Sequence, residues 1–548
     1  MKKIFTFILG VGTMLCANAQ MAEGVQARIY AYDLQQEETT AVVNNTTVKA
    51  YNFTFKTNTA ATGTPTVTLF GDGLNDVVIQ ATATDNTNKS WTATVHAANG
   101  EIVAGSYNWK VTVSADPVNS FSEIYNSKNN GFDFYRSYGF VVDQSPESNY
   151  FGRVYMAHQA TSGTNVAVGM YTLTPELTFE NGGKPYTACD MIGKGETSSS
   201  TNAGTCPADM CISKDGRIFM SNTHATYYGV YFIDPKDFSN SSVFKNITRD
   251  ATNNIIDKTT SEHVAGKSIG ITVRGYGDET VLITADATYF NKTYNDASIT
   301  SFFINEYNIA SNNQWTGAPS IAYGANGSSS PFLYSDGTTK VNFFNGTHAI
   351  DATTNGLWMA QYRGTPKKAE PSLFYYSNKT GYVEYSYYEK QSHNNSAALA
   401  VNEDLGLVAH TIKGDANATI MQYSEDEEGQ ITMNQISTGN DMAALGTKAD
   451  AMSFDYAGNL YAITSGNEIM AVYALPDALV GENTRTTPAK STLLAEFSDG
   501  DKLTSIDGIN ADANAPVEYY NLQGVKVENP EKGIFIKKQG SKTTKVVF

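Results

Sequence analysis

The strongest constraint on the fold is a unit that recurs between about residues 120 and 500. Its core is an apolar strand, a polar turn that ends in glycine, and a second strand rich in aromatic and β-branched residues. The unit is clearest at residues 208–222, 348–362 and 449–464. Its turn glycines lie 50 to 79 residues apart and are Gly152, Gly216, Gly277, Gly356, Gly406 and Gly458. Units of this length suit four-stranded sheets rather than the coils of a solenoid.

A single twisted sheet of this kind cannot bury both of its faces, whereas copies packed radially around an axis can. We therefore predict an all-β chain in which residues 120–500 form a β-propeller of six blades. The long interval between Gly277 and Gly356 has room for a degenerate seventh. An array of β-sandwiches is the structural alternative.

The repeat at 449–464, ADAMSFDYAGNLYAIT, resembles the blades of NHL-repeat and gluconolactonase-like propellers. The gluconolactonase resemblance implies a metal-dependent hydrolase. However, the Glu, Asn and Asp ligands of that family cannot be matched to this chain one by one. The resemblance therefore implies the scaffold and does not carry over the activity.

Two smaller regions flank the predicted propeller. Residues 20–115 show short alternating strands, as in SYNWKVTVS (106–114), and predict a β-sandwich. The stretch EIVAGSYNWKVTVS (101–114) resembles the end of FlgD-like domains, which implies an immunoglobulin-like module. After a linker at 501–515, the last segment (516–548) contains YNLQGV (520–525), then GIFIK (533–537), then a Lys-Val ending. In these motifs it resembles the type IX secretion sorting segments of exported Bacteroidetes proteins. That resemblance implies a location at the cell surface or envelope.

Residues 1–19 carry the pattern of a secretory signal peptide. Lys2 and Lys3 precede a short apolar run, and Ala17-Asn18-Ala19 forms an A-x-A cleavage pattern. The run is too short to span a bilayer, so we expect an exported protein that does not cross the membrane. Beyond this leader lie Cys189, Cys206 and Cys211. One disulfide is expected in an oxidising compartment, and all three pairings stay open.

Composition excludes several classes of protein. With 41% hydrophobic and 17% charged residues, the chain is neither disordered nor a coiled coil. The formal charge is −17, and removal of the two-lysine leader makes it −19. Such a chain is not expected to bind nucleic acid, or polyanionic glycans without a local basic patch or bridging calcium.

Repeat register predicts polar residues near one mouth of the propeller axis. Asp209, His348 and Asp450 lie seven or eight residues before their turn glycines, and His393 precedes its strand closely enough to join them. Acids and histidines from separate blades suit a hard-metal or general acid–base cluster. The competing explanation is that they bond backbone groups between blades. We assign no metal and no cofactor, since the Asp-rich stretch 498–514 lacks the register of a calcium-binding EF-hand loop.

Dense tyrosines are the second candidate feature. Tyr227, Tyr228, Tyr385 and Tyr387 are candidate contacts because tyrosine pairs a flat apolar face with a polar tip, which suits sugar rings and protein surfaces. The competing explanation is packing between the sheets of the propeller.

These features favour a secreted or cell-surface recognition protein, non-catalytic, that binds a glycan or an envelope or host protein through the propeller. The alternative is an extracellular metal-dependent hydrolase or lyase acting on a carbohydrate or lactone. A structural envelope component is a third interpretation. A concave cluster of the polar residues would favour the enzyme, and an exposed aromatic patch would favour recognition.

Overall fold

A computed structural model of the chain describes most of the sequence beyond the predicted leader. The described residues are 25–99, 102–130, 132, 139–158, 167–189, 192, 209–222, 227–251, 255–261, 263–265, 267–287, 302–316, 320–323, 332–341, 348–361, 371–387, 398–411, 418–437, 451–464, 469–501, 516–539 and 542–548. The predicted signal peptide therefore lies outside the described residues, as do His393, Asp450 and Cys206.

Six antiparallel sheets make up the centre of the described structure, and we number them in chain order. Sheet 1 contains Gly139–Val142, Val154–His158 and Gly169–Leu173. Sheet 2 contains Asp209–Ile212, Ile218–Asn222, Gly229–Ile233 and Asn240–Ser242. Sheet 3 contains Lys267–Arg274, Thr280–Ala287, Phe302–Ile309 and Ser320–Tyr323.

The remaining three sheets follow the same order. Sheet 4 contains His348–Ala352, Gly356–Gln361, Leu373–Ser377 and Tyr382–Tyr387. Sheet 5 contains Ala398–Asn402, Leu407–Thr411, Thr419–Glu425 and Ile431–Ser437. Sheet 6 contains Ala451–Phe454, Leu460–Thr464 and Ile469–Ala474, and its outermost strand is Ser122–Asn126.

The six sheets form a ring. The first strand of each sheet contacts the first strand of the next, and Ala451–Phe454 of sheet 6 contacts Gly139–Val142 of sheet 1. This arrangement of radial antiparallel sheets is a β-propeller, so the predicted all-β propeller fold is confirmed. A seventh blade between Gly277 and Gly356 stays a prediction, because parts of that interval lie outside the described residues.

The ring is closed by a strand from the other end of the repeat region. Ser122–Asn126 precedes sheet 1 in the chain but pairs with Ile469–Ala474 of sheet 6. This pairing covers the outer edge of the last sheet, which would otherwise present unpaired backbone groups. It also ties the two ends of the propeller together.

The N-terminal region forms two further sheets around one apolar core that includes Phe53 and Trp109. One sheet contains Ala31–Val43, Thr46–Thr57, Ser90–His96 and Thr82–Ala83. The other contains Val77–Gln80, Thr66–Phe70 and Gly105–Ser114, joined by Thr484–Pro488 and Ala495–Phe497. The last two strands pair with Gly105–Ser114, although the sequence pattern placed them in the propeller range. They cover the free edge of that strand.

Smaller elements complete the described structure. A three-stranded sheet follows sheet 2 and contains Ile247–Arg249, Ile255–Asp257 and His263–Ala265. A short α-helix spans Asp477–Val480, and 3-10 helices span Ser127–Asn130, Gly277–Glu279 and Asp499–Asp501. No helix among the described residues is long and apolar enough to cross a membrane.

The C-terminal segment forms its own four-stranded sheet, of Lys526–Val527, Val517–Tyr520, Ile534–Gln539 and Lys542–Val547. Its role as a sorting segment stays a prediction. Among the cysteines, Cys189 and Cys211 are both buried but pack in different apolar clusters. The disulfide expected from sequence therefore does not join these two residues.

Candidate functional site

The antiparallel order of each sheet gives the ring two distinct sides. The start edge is the side at which the first strands begin, at Gly139, Asp209, Lys267, His348, Ala398 and Ala451. The turn edge is the opposite side, where the turn glycines connect first and second strands. Second strands end, and third strands begin, at the start edge.

The structure places the described axis residues on the same side of the ring. Asp209 is the first residue of the first strand of sheet 2, and His348 is the first residue of the first strand of sheet 4. Both therefore lie at the start edge. Asp450 and His393 lie outside the described residues, so their part in the site stays a prediction.

The Asp209 carboxylate accepts hydrogen bonds from the backbone of two strands. Its Oδ1 accepts a hydrogen bond from the Met210 amide (2.8 Å), and its Oδ2 accepts one from the Ile271 amide of sheet 3 (2.9 Å). Burial raises the pKa of Asp209 to about 7, against the lowering effect of the two amides, and the charge of Asp351 adds to the rise. The side chain thus bridges sheets 2 and 3.

Asp351, in the first strand of sheet 4, plays the same part at the next two junctions. Its Oδ1 accepts a hydrogen bond from the Thr272 hydroxyl of sheet 3 (3.1 Å), and its Oδ2 accepts one from the Val401 amide of sheet 5 (3.1 Å). The Thr272 hydroxyl oxygen in turn accepts a bond from the Ala352 amide (3.0 Å). Burial raises the pKa of Asp351 to about 7.

The other three junctions also carry side-chain hydrogen bonds. Between sheets 5 and 6, Asn402 Nδ2 donates to the Asp455 carbonyl (2.8 Å). Between sheets 6 and 1, the Val142 amide donates to Ser453 Oγ (3.2 Å). Between sheets 1 and 2, the Ser145 hydroxyl donates to the Lys214 carbonyl. A first strand has one unpaired edge, so its amides need partners from the neighbouring sheet.

Sequence reasoning missed Asp351 and Ser453, although a signal was present. Each lies two residues before the polar residue that begins the turn, Thr353 or Asp455, and has an apolar residue on either side in the strand. A polar residue at this recurrent position indicates a bridge to the next sheet. For Asp209, the geometry supports the same explanation over a free ligand or acid–base group.

The described part of the chain was searched for clusters of side chains that could bind a metal ion. No group of three or more His, Cys, Asp or Glu side chains there is arranged to hold a metal ion. Cys211 is a buried free thiol on the first strand of sheet 2, and burial raises its pKa. His410 is also buried, which lowers its pKa to about 4. Both side chains are therefore shielded from solvent.

The turn edge is occupied near the axis. Lys214 of sheet 2 and Glu403 of sheet 5 approach to 3.8 Å between Nζ and Oε2, although these sheets lie opposite each other in the ring. Glu403 Oε1 also accepts a hydrogen bond from the Thr354 amide of sheet 4 (2.7 Å). The pair is exposed and contributes little energy, but it spans the axis on this side.

The N-terminal sandwich also packs against the turn edge. Tyr30 contacts Phe151 in the turn of sheet 1 and Tyr456 in the turn of sheet 6. In addition, the Ser491 hydroxyl and amide donate to the Glu147 carboxylate in the turn of sheet 1. Among the described residues, these contacts of the sandwich with the ring all lie on the turn edge.

The four candidate tyrosines are half-buried and divide into two groups. Tyr227 and Tyr228 directly precede the third strand of sheet 2, and Tyr387 ends the fourth strand of sheet 4, so all three lie at the start edge. Tyr385 packs on Trp358, and its hydroxyl approaches the Met421 sulfur at 3.6 Å. Burial raises the pKa of Tyr385 to about 12.

Two of the start-edge tyrosines have defined ring contacts. The Arg249 guanidinium stacks over the Tyr228 ring at 4.0 Å from its centre. Tyr387 meets the His410 ring edge to face, with ring centres 5.6 Å apart. All four tyrosines also pack against apolar clusters of the sheets, and Tyr228 in addition carries a cation over its ring at the start edge.

Comparisons with known proteins find solved structures that are similar to this chain at low sequence identity. No known protein-family profile matches it, and no curated protein matches it. Among solved structures it is similar to an auxiliary nutrient binding protein from Bacteroides ovatus, at 10% identity and a TM-score of 0.34, over 78% of this chain and 94% of the other.

Two further solved structures are similar at equally low sequence identity. The Pseudomonas aeruginosa periplasmic gluconolactonase matches at 10% identity and a TM-score of 0.32, over 63% of this chain and 98% of the other. The WD40 domain of Toxoplasma gondii coronin matches at 10% identity and a TM-score of 0.32, over 69% and 89%. The fold assignment itself rests on the strand pairing and the ring of first strands.

Proposed function

We propose that this chain is an exported, cell-surface recognition protein whose propeller binds a glycan or a protein ligand at the start edge without catalysing a reaction. The observation that carries the proposal is that the carboxylates of Asp209 and Asp351 are already used in hydrogen bonds to neighbouring sheets. Every carboxylate oxygen of the two residues accepts a hydrogen bond from an adjacent strand or from its own.

Recruiting either carboxylate for chemistry would weaken the ring. A metal ion or a substrate proton would compete with buried amides, and an unsatisfied buried amide costs about 1–3 kcal/mol. A binding protein has no such conflict, because its axis can be purely structural. The described polar groups of the axis therefore favour recognition over catalysis.

The choice of the start edge follows from what occupies the other side. The sandwich packs on the turn edge, and the Lys214–Glu403 pair spans the axis there. The start edge carries Tyr227, Tyr228 and Tyr387, whose rings suit sugar faces and protein surfaces. The strongly negative chain favours a neutral or cationic ligand.

One observation favours the alternative, an extracellular metal-dependent hydrolase or lyase. The pKa values of Asp209 and Asp351 are both raised to about 7, and groups that titrate near neutrality are frequent in active sites. The same shift arises in structural carboxyls that burial surrounds with backbone amides. Binding and turnover therefore have to be measured separately.

The test is binding of the mature chain, residues 20–548, to arrays of plant, host and bacterial glycans with and without a chelator. Tyr228→Ala should weaken binding at least tenfold. Tyr276→Ala is the matched control, because Tyr276 is 64% exposed but lies on the turn edge, and it should bind as the unaltered chain does. Equal loss in both variants, or binding that the chelator abolishes together with product release, would contradict the proposal.

A further inference from the structure

A short N-terminal segment runs between the sandwich and the propeller without joining a strand. We call residues 27–30 the N-terminal strap, and all four of its residues are buried. Since no sheet supplies hydrogen bonds to this backbone, its amides and carbonyls need other partners. Three asparagine side chains provide them.

Each of these asparagines both accepts from and donates to the strap. Asn459, in the turn of sheet 6, accepts from the Arg28 amide and donates to the Arg28 carbonyl, both at 2.9 Å. Asn483 accepts from the Ile29 amide (2.8 Å) and donates to the Ala27 carbonyl (3.0 Å). Asn58 of the sandwich accepts from the amide of Tyr30 and donates to the Arg28 carbonyl, both at 2.9 Å.

The Arg28 side chain fastens the strap to the segment that follows sheet 6. Its Nη1 donates to Asp477 Oδ1 (2.9 Å) and to the Leu475 carbonyl (3.2 Å). Its Nη2 donates to the carbonyls of Gly481 (2.8 Å) and Glu482 (3.1 Å). The guanidinium is buried, so losing it would remove the donor that the carbonyls of Leu475 and Gly481 share.

Tyr30 lies where the propeller ring closes. Its ring centre is 5.7 Å from Phe151 of the sheet 1 turn and 6.2 Å from Tyr456 of the sheet 6 turn. Phe151 and Tyr456 also contact each other at 5.2 Å. The two turns belong to opposite ends of the repeat region, since Val142 and its partner Ser453 are 311 residues apart.

We propose that the N-terminal strap is a latch for the closing junction of the ring, between sheets 1 and 6. It acts beside the pairing of Ser122–Asn126 with sheet 6, which closes the same ring at its outer edge. Release of the strap opens this junction locally, while the other junctions keep their hydrogen bonds. The latch is a property of the scaffold and does not depend on the proposed function.

Hydrogen exchange of the mature chain, followed by mass spectrometry, tests the latch. In Arg28→Ala, amides of Gly139–Val142 and Ala451–Phe454 should exchange at least tenfold faster. Arg217→Ala is the matched control, because Arg217 is also a largely buried arginine, and it joins the turns of sheets 2 and 3 through the carbonyls of Gly277 and Ala310. It should speed exchange at its own junction and leave the closing junction unchanged.

A conservative variant keeps the test decisive if Arg28→Ala does not fold. Arg28→Lys retains a cation near Asp477 but lacks the planar fork that reaches several carbonyls at once, so it should show the same local pattern with a smaller rise. Acceleration spread evenly over all six sheets would contradict a local latch. So would unchanged exchange at the junction of sheets 1 and 6 in a folded variant.

Discussion

Replacing Asp351 with asparagine separates the two contributions of this side chain, its hydrogen bonds and its buried charge. The amide oxygen of the introduced asparagine can accept from the Val401 amide. Its amide nitrogen can donate to the Thr272 hydroxyl oxygen, which already accepts from the Ala352 amide. The bridge between sheets 3, 4 and 5 is therefore preserved in Asp351→Asn, and only the ionisable group is removed.

The expected effect depends on pH in a defined direction. Burial raises the pKa of Asp351 from 3.8 to about 7, so its stabilising effect is full below pH 3.8 and is lost as the pH rises through 7. Raising the pKa by this amount corresponds to a penalty of at most about 4 kcal/mol at alkaline pH. Asparagine carries no such penalty. Asp351→Asn should raise the free energy of unfolding at pH 8 by about 1–4 kcal/mol, and by less than half of that amount at pH 5, where only part of the penalty has developed.

Urea denaturation at pH 5 and pH 8 measures this difference, and Asp209→Asn is the comparison variant. Both oxygens of Asp209 accept from backbone amides, so an asparagine there satisfies one amide and turns its own NH₂ toward the other. At pH 8, the increase in the free energy of unfolding should therefore be about 1–3 kcal/mol smaller for Asp209→Asn than for Asp351→Asn. Equal destabilisation by Asp351→Asn at both pH values would refute the assignment of Asp351 as a buried, charged bridge.

Three further outcomes follow from the described packing. Truncating the chain after Gly481 removes both strands that pair with Gly105–Ser114 and should abolish the near-ultraviolet circular dichroism of the sandwich; an unchanged spectrum would count against this. Gly406→Ala should lower the free energy of unfolding by more than about 1 kcal/mol, because a Cβ there would lie 2.1 Å from the carbonyl oxygen of Tyr423. Gly277→Ala is its control, with a similar positive φ and open space around the Cβ. Cys211 should resist alkylation until the chain is denatured, and rapid labelling of the native protein would show that it is not buried.

The propeller could be predicted from sequence because its signal is local and repeated. Each copy contains a first strand, a turn ending in glycine and a second strand, and the structure builds one sheet around each such copy. By contrast, Ser122–Asn126, Thr484–Pro488 and Ala495–Phe497 pair with strands hundreds of residues away. Nothing in their local pattern indicates those partners, so ring closure and the completed sandwich required the three-dimensional structure.

Repeat register also predicted where two of the candidate residues lie in the ring, and their role in a site stays a prediction. It predicted that Asp209 and His348 share one mouth of the ring, and both begin first strands at the start edge. It could not show what their side chains touch, because the amide that Asp209 binds belongs to Ile271 on another sheet. The position of Asp351, two residues before the turn, was a local signal, but its hydrogen-bond partners lie on neighbouring sheets and could not be derived from the sequence.

The tyrosines illustrate a similar limit. Their abundance is compatible with aromatic surfaces and with aromatic packing, and in the structure all four candidate tyrosines are half-buried against apolar clusters. Tyr385 packs on Trp358, whereas Tyr228 lies at the start edge beneath the Arg249 guanidinium. Whether a tyrosine packs in the core or lies at the start edge depends on where it stands in its strand and on how neighbouring sheets align. Composition does not contain this information.

The most direct test of binding without catalysis is the fate of a ligand held by the protein. A glycan that binds on the array would be incubated with the mature chain and calcium or zinc, then recovered, and its mass would be measured by mass spectrometry. Recovery of the unchanged mass at full occupancy is the result expected of a recognition protein. A cleaved or hydrated product that appears with time and disappears with a chelator would contradict the account and favour a metal-dependent hydrolase or lyase.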